Sequence, residues 1–192
     1  GQVGVTMNRE YFGLFLLLMH ASALLIPVST WAADYQKGKE AYIRGDYDSA
    51  LREWGPLSDT GHPQAQVGFG LMHEHGLGVE RNLTKAARWY RLAAEQGLAG
   101  GQKNLGTMYE FGRGVEKKLK EAVRWYRLAA EQGFASGQKN LGTMYEFGRG
   151  VQRSLTEAVR WYRLAAEQGY AQSQGSLDDL RANHPQAHLL GL

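Results

Sequence analysis

The sequence predicts an all-α solenoid of helical hairpins, and three observations carry that prediction. The first is repetition: Gly101–Ser136 aligns without a gap on Gly137–Gln172, and Ala65–Gly100 is a third, more diverged copy at the same period of 36 residues. The second is that each copy holds two segments whose apolar residues recur every three or four positions, the mark of amphipathic helices. The third is a Gly-x-Gly-Val element between those segments, written EHGLGV, EFGRGV and EFGRGV, with one further glycine after each RLAAEQ run. Two helices separated by a turn and repeated in tandem make a stack of hairpins.

Taken in order, the chain opens with residues 1–32, which the sequence places outside the repeat fold. Met7-Asn8-Arg9 reads as the translational start, with Gly1–Thr6 upstream of it. An apolar run from Tyr11 to Val28 follows, and Thr30 and Ala32 are small residues at the −3 and −1 positions of a cut after Ala32, as in a secretory signal peptide. The alternative is an uncleaved anchor, since about 18 apolar residues can span a bilayer. Residues 33–64 form an N-terminal hairpin with Asp34–Arg44 as its first helix and a second helix opening at Gly45-Asp46-Tyr47. Three repeat units follow at 65–100, 101–136 and 137–172, and 173–192 supply a capping helix through Asn183 and a tail from His184.

Within a unit the glycines have local work. Gly112 follows Leu105, Met108 and Tyr109, which share one helical face, so it stands where a left-handed residue ends a helix, and Gly114 turns the chain back. Gly97, Gly133 and Gly169 end the second helices in the same way. A phosphate loop would require a preceding strand and a longer glycine fingerprint or a following Gly-Lys-Ser/Thr, and the sequence has neither. At the second-helix starts, Ser154 and Glu157 form a capping box, Asn82 caps the first unit, and Lys118 cannot cap the second, a difference of about 1 kcal/mol.

Composition excludes several classes. The 192 residues suffice for one domain with a sizeable core. A formal charge of +3 and no cysteine argue against a dedicated nucleic-acid protein, disulfide staples, thiolate metal sites and a cysteine nucleophile. Export of a cysteine-free chain points to the periplasm or to secretion by a bacterium.

The pattern LG..YEFGRGV....EAVRWYRLAAEQG resembles the Sel1-like repeat, a helical hairpin similar to the tetratricopeptide repeat, over Ala65–Gln172. That resemblance implies a right-handed α-solenoid whose first helices line a concave groove that binds peptides, and no cofactor. Members of this type are exported bacterial proteins with assembly, stress or host-interaction roles. The expected partner is another protein or peptide, not nucleic acid, with a membrane engaged only if the N-terminal segment stays uncut.

The candidate binding residues sit on the first helices, away from the core face. Lys103, Asn104, Thr107 and Phe111 recur as Lys139, Asn140, Thr143 and Phe147. Stacked amides and ammonium groups can hold a carboxylate or a peptide backbone, while phenylalanine gives apolar contact. The first unit presents Val67, Gly68, Leu71 and His75 there, so the groove is expected to be apolar at one end. Recent duplication explains the same residue matches without use, so both readings stand.

On the second helices, Leu83, Ala86, Tyr90, Ala93 and Ala94 share a core face, and Trp89, Trp125 and Trp161 are expected to pack between units. Arg88, Arg91 and Glu95 repeat as Arg124, Arg127, Glu131 and Arg160, Arg163, Glu167. This face is expected to be solvated, with Arg and Glu paired at i,i+4. The alternative is an acidic partner.

Three tempting motifs are set aside. His73 and His75 diverge by about 200° at 100° per residue, cannot share a metal, and replace Tyr and Phe of the other copies. Ser136-Gly137-Gln138-Lys139 matches S-x-x-K but lacks a K-T-G or S-D-N partner. Glu110 and Glu146 have no histidine arranged with them for acid–base work. The expectation is therefore a non-catalytic interaction scaffold of the bacterial envelope. Cell-wall or penicillin binding, as linked to cysteine-rich relatives, is the alternative.

Overall fold

The computed structural model describes residues 28–183, and within them the chain forms nine helices and no strand. They are α1 (Val28–Ile43), α2 (Tyr47–Asp59), α3 (Pro63–His75), α4 (Leu83–Glu95), α5 (Ala99–Phe111), α6 (Leu119–Glu131), α7 (Ala135–Phe147), α8 (Leu155–Glu167) and α9 (Ala171–Asn183). Consecutive helices pair as hairpins, and α3–α4, α5–α6 and α7–α8 are the three repeated ones. The result is an all-α repeat solenoid. Most of the expected signal segment, and the tail from His184, lie outside the described residues.

Helix α1 begins at Val28, six residues before the expected Asp34, and runs through Ala32. No proline or glycine separates Val28 from Asp34, so nothing in the sequence stops the helix there. Asp46 caps α2, accepting from the Ser49 amide at 3.1 Å.

The turn chemistry follows the sequence. Gly76, Gly112 and Gly148 end the first helices at φ 70°, 67° and 63°, left-handed values that a side chain resists. At the second-helix starts Asn82 accepts from Lys85 N at 2.9 Å and Ser154 from Glu157 N at 3.3 Å, while Lys118 makes no such bond. The capping box is only half built, because the Glu157 carboxylate turns to Arg160 at 3.4 Å.

The core is a string of four clusters, one per junction. Tyr90, Tyr126 and Tyr162 are its largest fully buried side chains. Each needs a glycine across from it: a Cβ on Gly70, Gly106 or Gly142 would sit 2.4, 2.7 or 2.7 Å from the facing ring. Trp125 joins the core cluster of the preceding unit and Trp161 that of the unit before it, at 7% and 8% exposure, so two of the three repeat tryptophans pack between units, while Trp89 is half-buried edge-on to Phe69.

Directly apposed first helices (α3 on α5, α5 on α7) put them on the inner side of the stack. Helix α9 is the first half of a further unit. Leu177 and Leu180 bury where Leu141 and Met144 do, and an exposed Asp178 stands at the position of the glycine.

Candidate functional site: the inner face of the first helices

The site is built on a polar device that holds the units in register. In each unit the second-helix tyrosine donates its phenolic proton to a first-helix glutamate: Tyr90 to Glu74 at 2.6 Å, Tyr126 to Glu110 at 2.5 Å, Tyr162 to Glu146 at 2.6 Å. The other carboxylate oxygen takes an arginine from the turn of the next unit, Arg113 to Glu74 at 3.0 Å and Arg149 to Glu110 at 2.8 Å. Glu74 and Glu110 are buried, so the double engagement satisfies charges that would otherwise be costly. Burial and the glutamate raise all three phenols above the ordinary tyrosine pKa, so they stay protonated. Leu77 fills the arginine position of the first unit and packs into the N-terminal cluster with Tyr42, which stands four residues after Gly38 as Glu74 stands after Gly70.

This device defines the floor of a pocket of about 330 Å³ between α5 and α7, lined by Thr107, Glu110, Phe111, Tyr126, Lys139, Asn140, Thr143 and Arg149. Five sequence-expected residues thus come together: Thr107, Phe111, Lys139, Asn140 and Thr143. Phe111 is 58% exposed with the Arg149 guanidinium 5.9 Å from its ring centroid, and Phe147 is 62% exposed. Lys103 and Asn104 are half-buried on α5, and burial lowers the Lys103 ammonium pKa despite the nearby Glu74. His75 is exposed at the end of α3.

Several expected residues serve the fold more than an open surface. Thr107 Oγ1 lies 3.1 Å from both the Tyr126 hydroxyl and the Lys103 carbonyl, and Thr143 repeats this with Tyr162 at 3.0 Å. Leu71 packs onto the core cluster of α4 and α5. Gly68 is buried under Trp54, whose ring lies 2.6 Å from where its Cβ would be, so it offers nothing to the groove.

The arginine face of the second helices also differs from expectation. Arg91 donates to Tyr109 at 2.6 Å and Arg127 to Tyr145 at 2.9 Å, each reaching the next unit, so the i,i+4 pairs with Glu95 and Glu131 are not what orders them. Arg124 and Arg160 instead pair backward with Glu121 and Glu157 and lie over Trp125 and Trp161.

Sequence reading missed the glutamate–arginine pairs and a glutamine ladder. Gln96, Gln132 and Gln168 donate to Gln66, Gln102 and Gln138 at 2.8, 2.7 and 2.8 Å. The recurring Gln at one position of both helices was the available signal. His73 is buried with its ring edge-on to Phe69 and its pKa lowered by burial, and no metal-binding cluster occurs among the described residues.

The Sel1 repeat is matched three times, at residues 63–98, 99–134 and 135–170, each match opening at the start of a first helix. The chain belongs to the Sel1 repeat family. Sel1 repeat proteins are in general non-catalytic protein-interaction scaffolds that bind other proteins. Among solved structures, the chain is similar to a Sel1 repeat protein from Oxalobacter formigenes, at 41% identity and TM-score 0.69 over 73% of this chain and 56% of that one. It is also similar to a protective antigen of uropathogenic Escherichia coli strains with an SLR fold, at 37% identity and TM-score 0.72 over 78% of this chain and 33% of that one. This chain therefore spans about half and one third of those two. Helicobacter pylori cysteine rich protein B matches at 23% identity and TM-score 0.53, a likeness of fold. No curated protein matches the chain.

Proposed function

We propose that this Sel1 repeat protein is a scaffold that holds a peptide or an exposed segment of another protein along the inner face of α5 and α7. The observation that carries this reading is the exposure of Phe111 and Phe147 beside a polar pocket of about 330 Å³. Large aromatics exposed to water at matching positions of successive first helices favour a partner. Around them Asn104, Asn140, Lys103 and Lys139 provide donors at matching positions of successive units, suited to a peptide backbone and its polar groups. We place the protein in the bacterial envelope or secreted fraction, on the apolar run and small residues before Ala33.

The test uses a photo-crosslinking residue at Asn140 and capture from intact envelope, with adducts identified by mass spectrometry. A discrete protein adduct that disappears when Phe111 and Phe147 become Ala supports the reading. Adducts of cell-wall fragments, or capture indifferent to both phenylalanines, overturn it.

A further inference from the structure

We propose that the partner segment is acidic and extended, with two carboxylates three residues apart seated on Lys103 and Lys139. The proposal rests on the inner-face reading above and adds the chemistry of the occupant. It begins from charge. The carboxylates beneath this face, Glu74 and Glu110, each already hold a tyrosine and an arginine. Lys103 and Lys139 make no ion pair among the described residues. Lys103 is half-buried, and the nearby Glu74, already engaged by Tyr90 and Arg113, offsets only part of the cost of stripping water from its charge. An incoming carboxylate supplies the missing partner.

The surroundings favour a peptide over a small free anion. Phe111 and Phe147 flank the lysines with exposed rings, and the Asn104 and Asn140 amides can pair with a backbone on both donor and acceptor sides. The spacing follows from packing. Neighbouring first helices lie about 10 Å apart, and an extended chain in the polyproline II form has three residues per turn and advances about 3.1 Å per residue, so carboxylates on one face that meet successive lysines fall three residues apart. The ends of the face differ. Leu71 and His75 stand beyond Lys103, and on α9 the exposed Asp179 occupies the position of Thr143. Acidic residues are repelled at the α9 end, so the acidic pair is confined to α5 and α7.

The test is selection from a displayed library of random twelve-residue peptides on the full chain, followed by affinity measurement of the recovered peptides. Enrichment of acidic residues at i,i+3 is expected. Binding of those peptides should fall at least about tenfold in Lys103→Gln/Lys139→Gln, as for loss of charge-assisted hydrogen bonds. Melting of that variant should be unchanged or higher, because a poorly solvated cation is removed. Enriched peptides without acidic pairs, whose binding still depends on Phe111 and Phe147, overturn this proposal and leave the inner-face reading intact. Failure to enrich, or binding indifferent to both lysines and both phenylalanines, overturns both. Tighter binding of a single-stranded oligonucleotide through the same lysines also overturns the acidic-peptide proposal.

Discussion

Arg149 Nη1 lies 2.8 Å from Glu110 Oε1, so the turn of one repeat is pinned to the first helix of the repeat before it. Glu110 is 6% exposed, while the arginine side chain keeps a third of its surface in water. Removing the arginine strands a buried carboxylate whose remaining partner among the described residues is Tyr126. Surface ion pairs contribute at most about 1 kcal/mol and broken buried ones cost about 3–5 kcal/mol. With one partner half-wet, Arg149→Ala is expected to cost about 1–2 kcal/mol, lowering Tm by about 2–8 °C for a chain of this size. Thermal unfolding by circular dichroism checks this, and an unchanged Tm would show that the pair does not hold the units together.

Two glycine-to-alanine changes are expected to move stability in opposite directions. A Cβ on Gly106 would sit 2.7 Å from the Tyr126 ring and 3.3 Å from the Ala122 carbonyl, so the helices must part, at about 1–3 kcal/mol. Gly175 lies inside α9 with nothing within 4 Å of its Cβ position. There the alanine meets no obstacle and restrains the unfolded chain, a gain of about 0.5–1 kcal/mol. Urea unfolding of the two variants side by side decides it, and equal shifts would contradict the packing described for Tyr126.

Much of this architecture was legible in the residues because its determinants are local. The period, the glycine turns, the Asn82 and Ser154 caps and the core faces depend on neighbours within one or two helical turns. The Glu–Arg–Tyr device was not legible for the opposite reason. Glu110 and Arg113 stand three apart in one motif and invite a local pairing, yet each binds across a unit boundary, Glu110 to Arg149 and Arg113 to Glu74. Near-identical repeats hide such pairs, since the same letters satisfy both registers. The Leu77 exception was the available clue: where no glutamate precedes, no arginine is kept. Lys103, Thr107, Lys139 and Thr143 lie on first helices, whereas alignment alone puts Gly68 and Leu71 beside them, and the packing of Trp54 and of the α4–α5 core claims those two.

The buried phenols give the protein an alkaline limit. Tyr90, Tyr126 and Tyr162 are held above the ordinary tyrosine value, while an unfolded chain titrates near pH 10. Raised folded pKa values mean that native tyrosines keep protons the unfolded chain gives up. Their stabilisation is therefore complete below about pH 10 and declines as pH rises through the window above it. Spectrophotometric titration should show these three of the ten tyrosines ionising only in one step with unfolding. Tyr126→Phe should flatten the alkaline decline while costing about 1–2 kcal/mol at neutral pH, where the Glu110 bond is lost. Smooth ionisation of all ten before unfolding would refute the buried Tyr–Glu pairs.

Among the second-helix starts of the three units, that of α6 is the one without a side-chain cap. Asn82 and Ser154 each bond an amide in the first turn of α4 and α8, whereas Lys118, with the same extended backbone at φ −140° and ψ 93°, leaves those amides to water. The ion pair of Lys118 with Glu116 joins two exposed side chains and contributes little. Lys118→Ser should therefore stabilise the chain by about 1 kcal/mol, because the backbone already has the shape the cap requires. Amide exchange is the sharper measurement, since slower exchange is expected at Lys120 and Glu121, in the first turn, and not at the start of α8. A uniform slowing along the chain would mean that the serine acts on global stability alone, and no slowing at Glu121 would mean that the α6 amides are already satisfied.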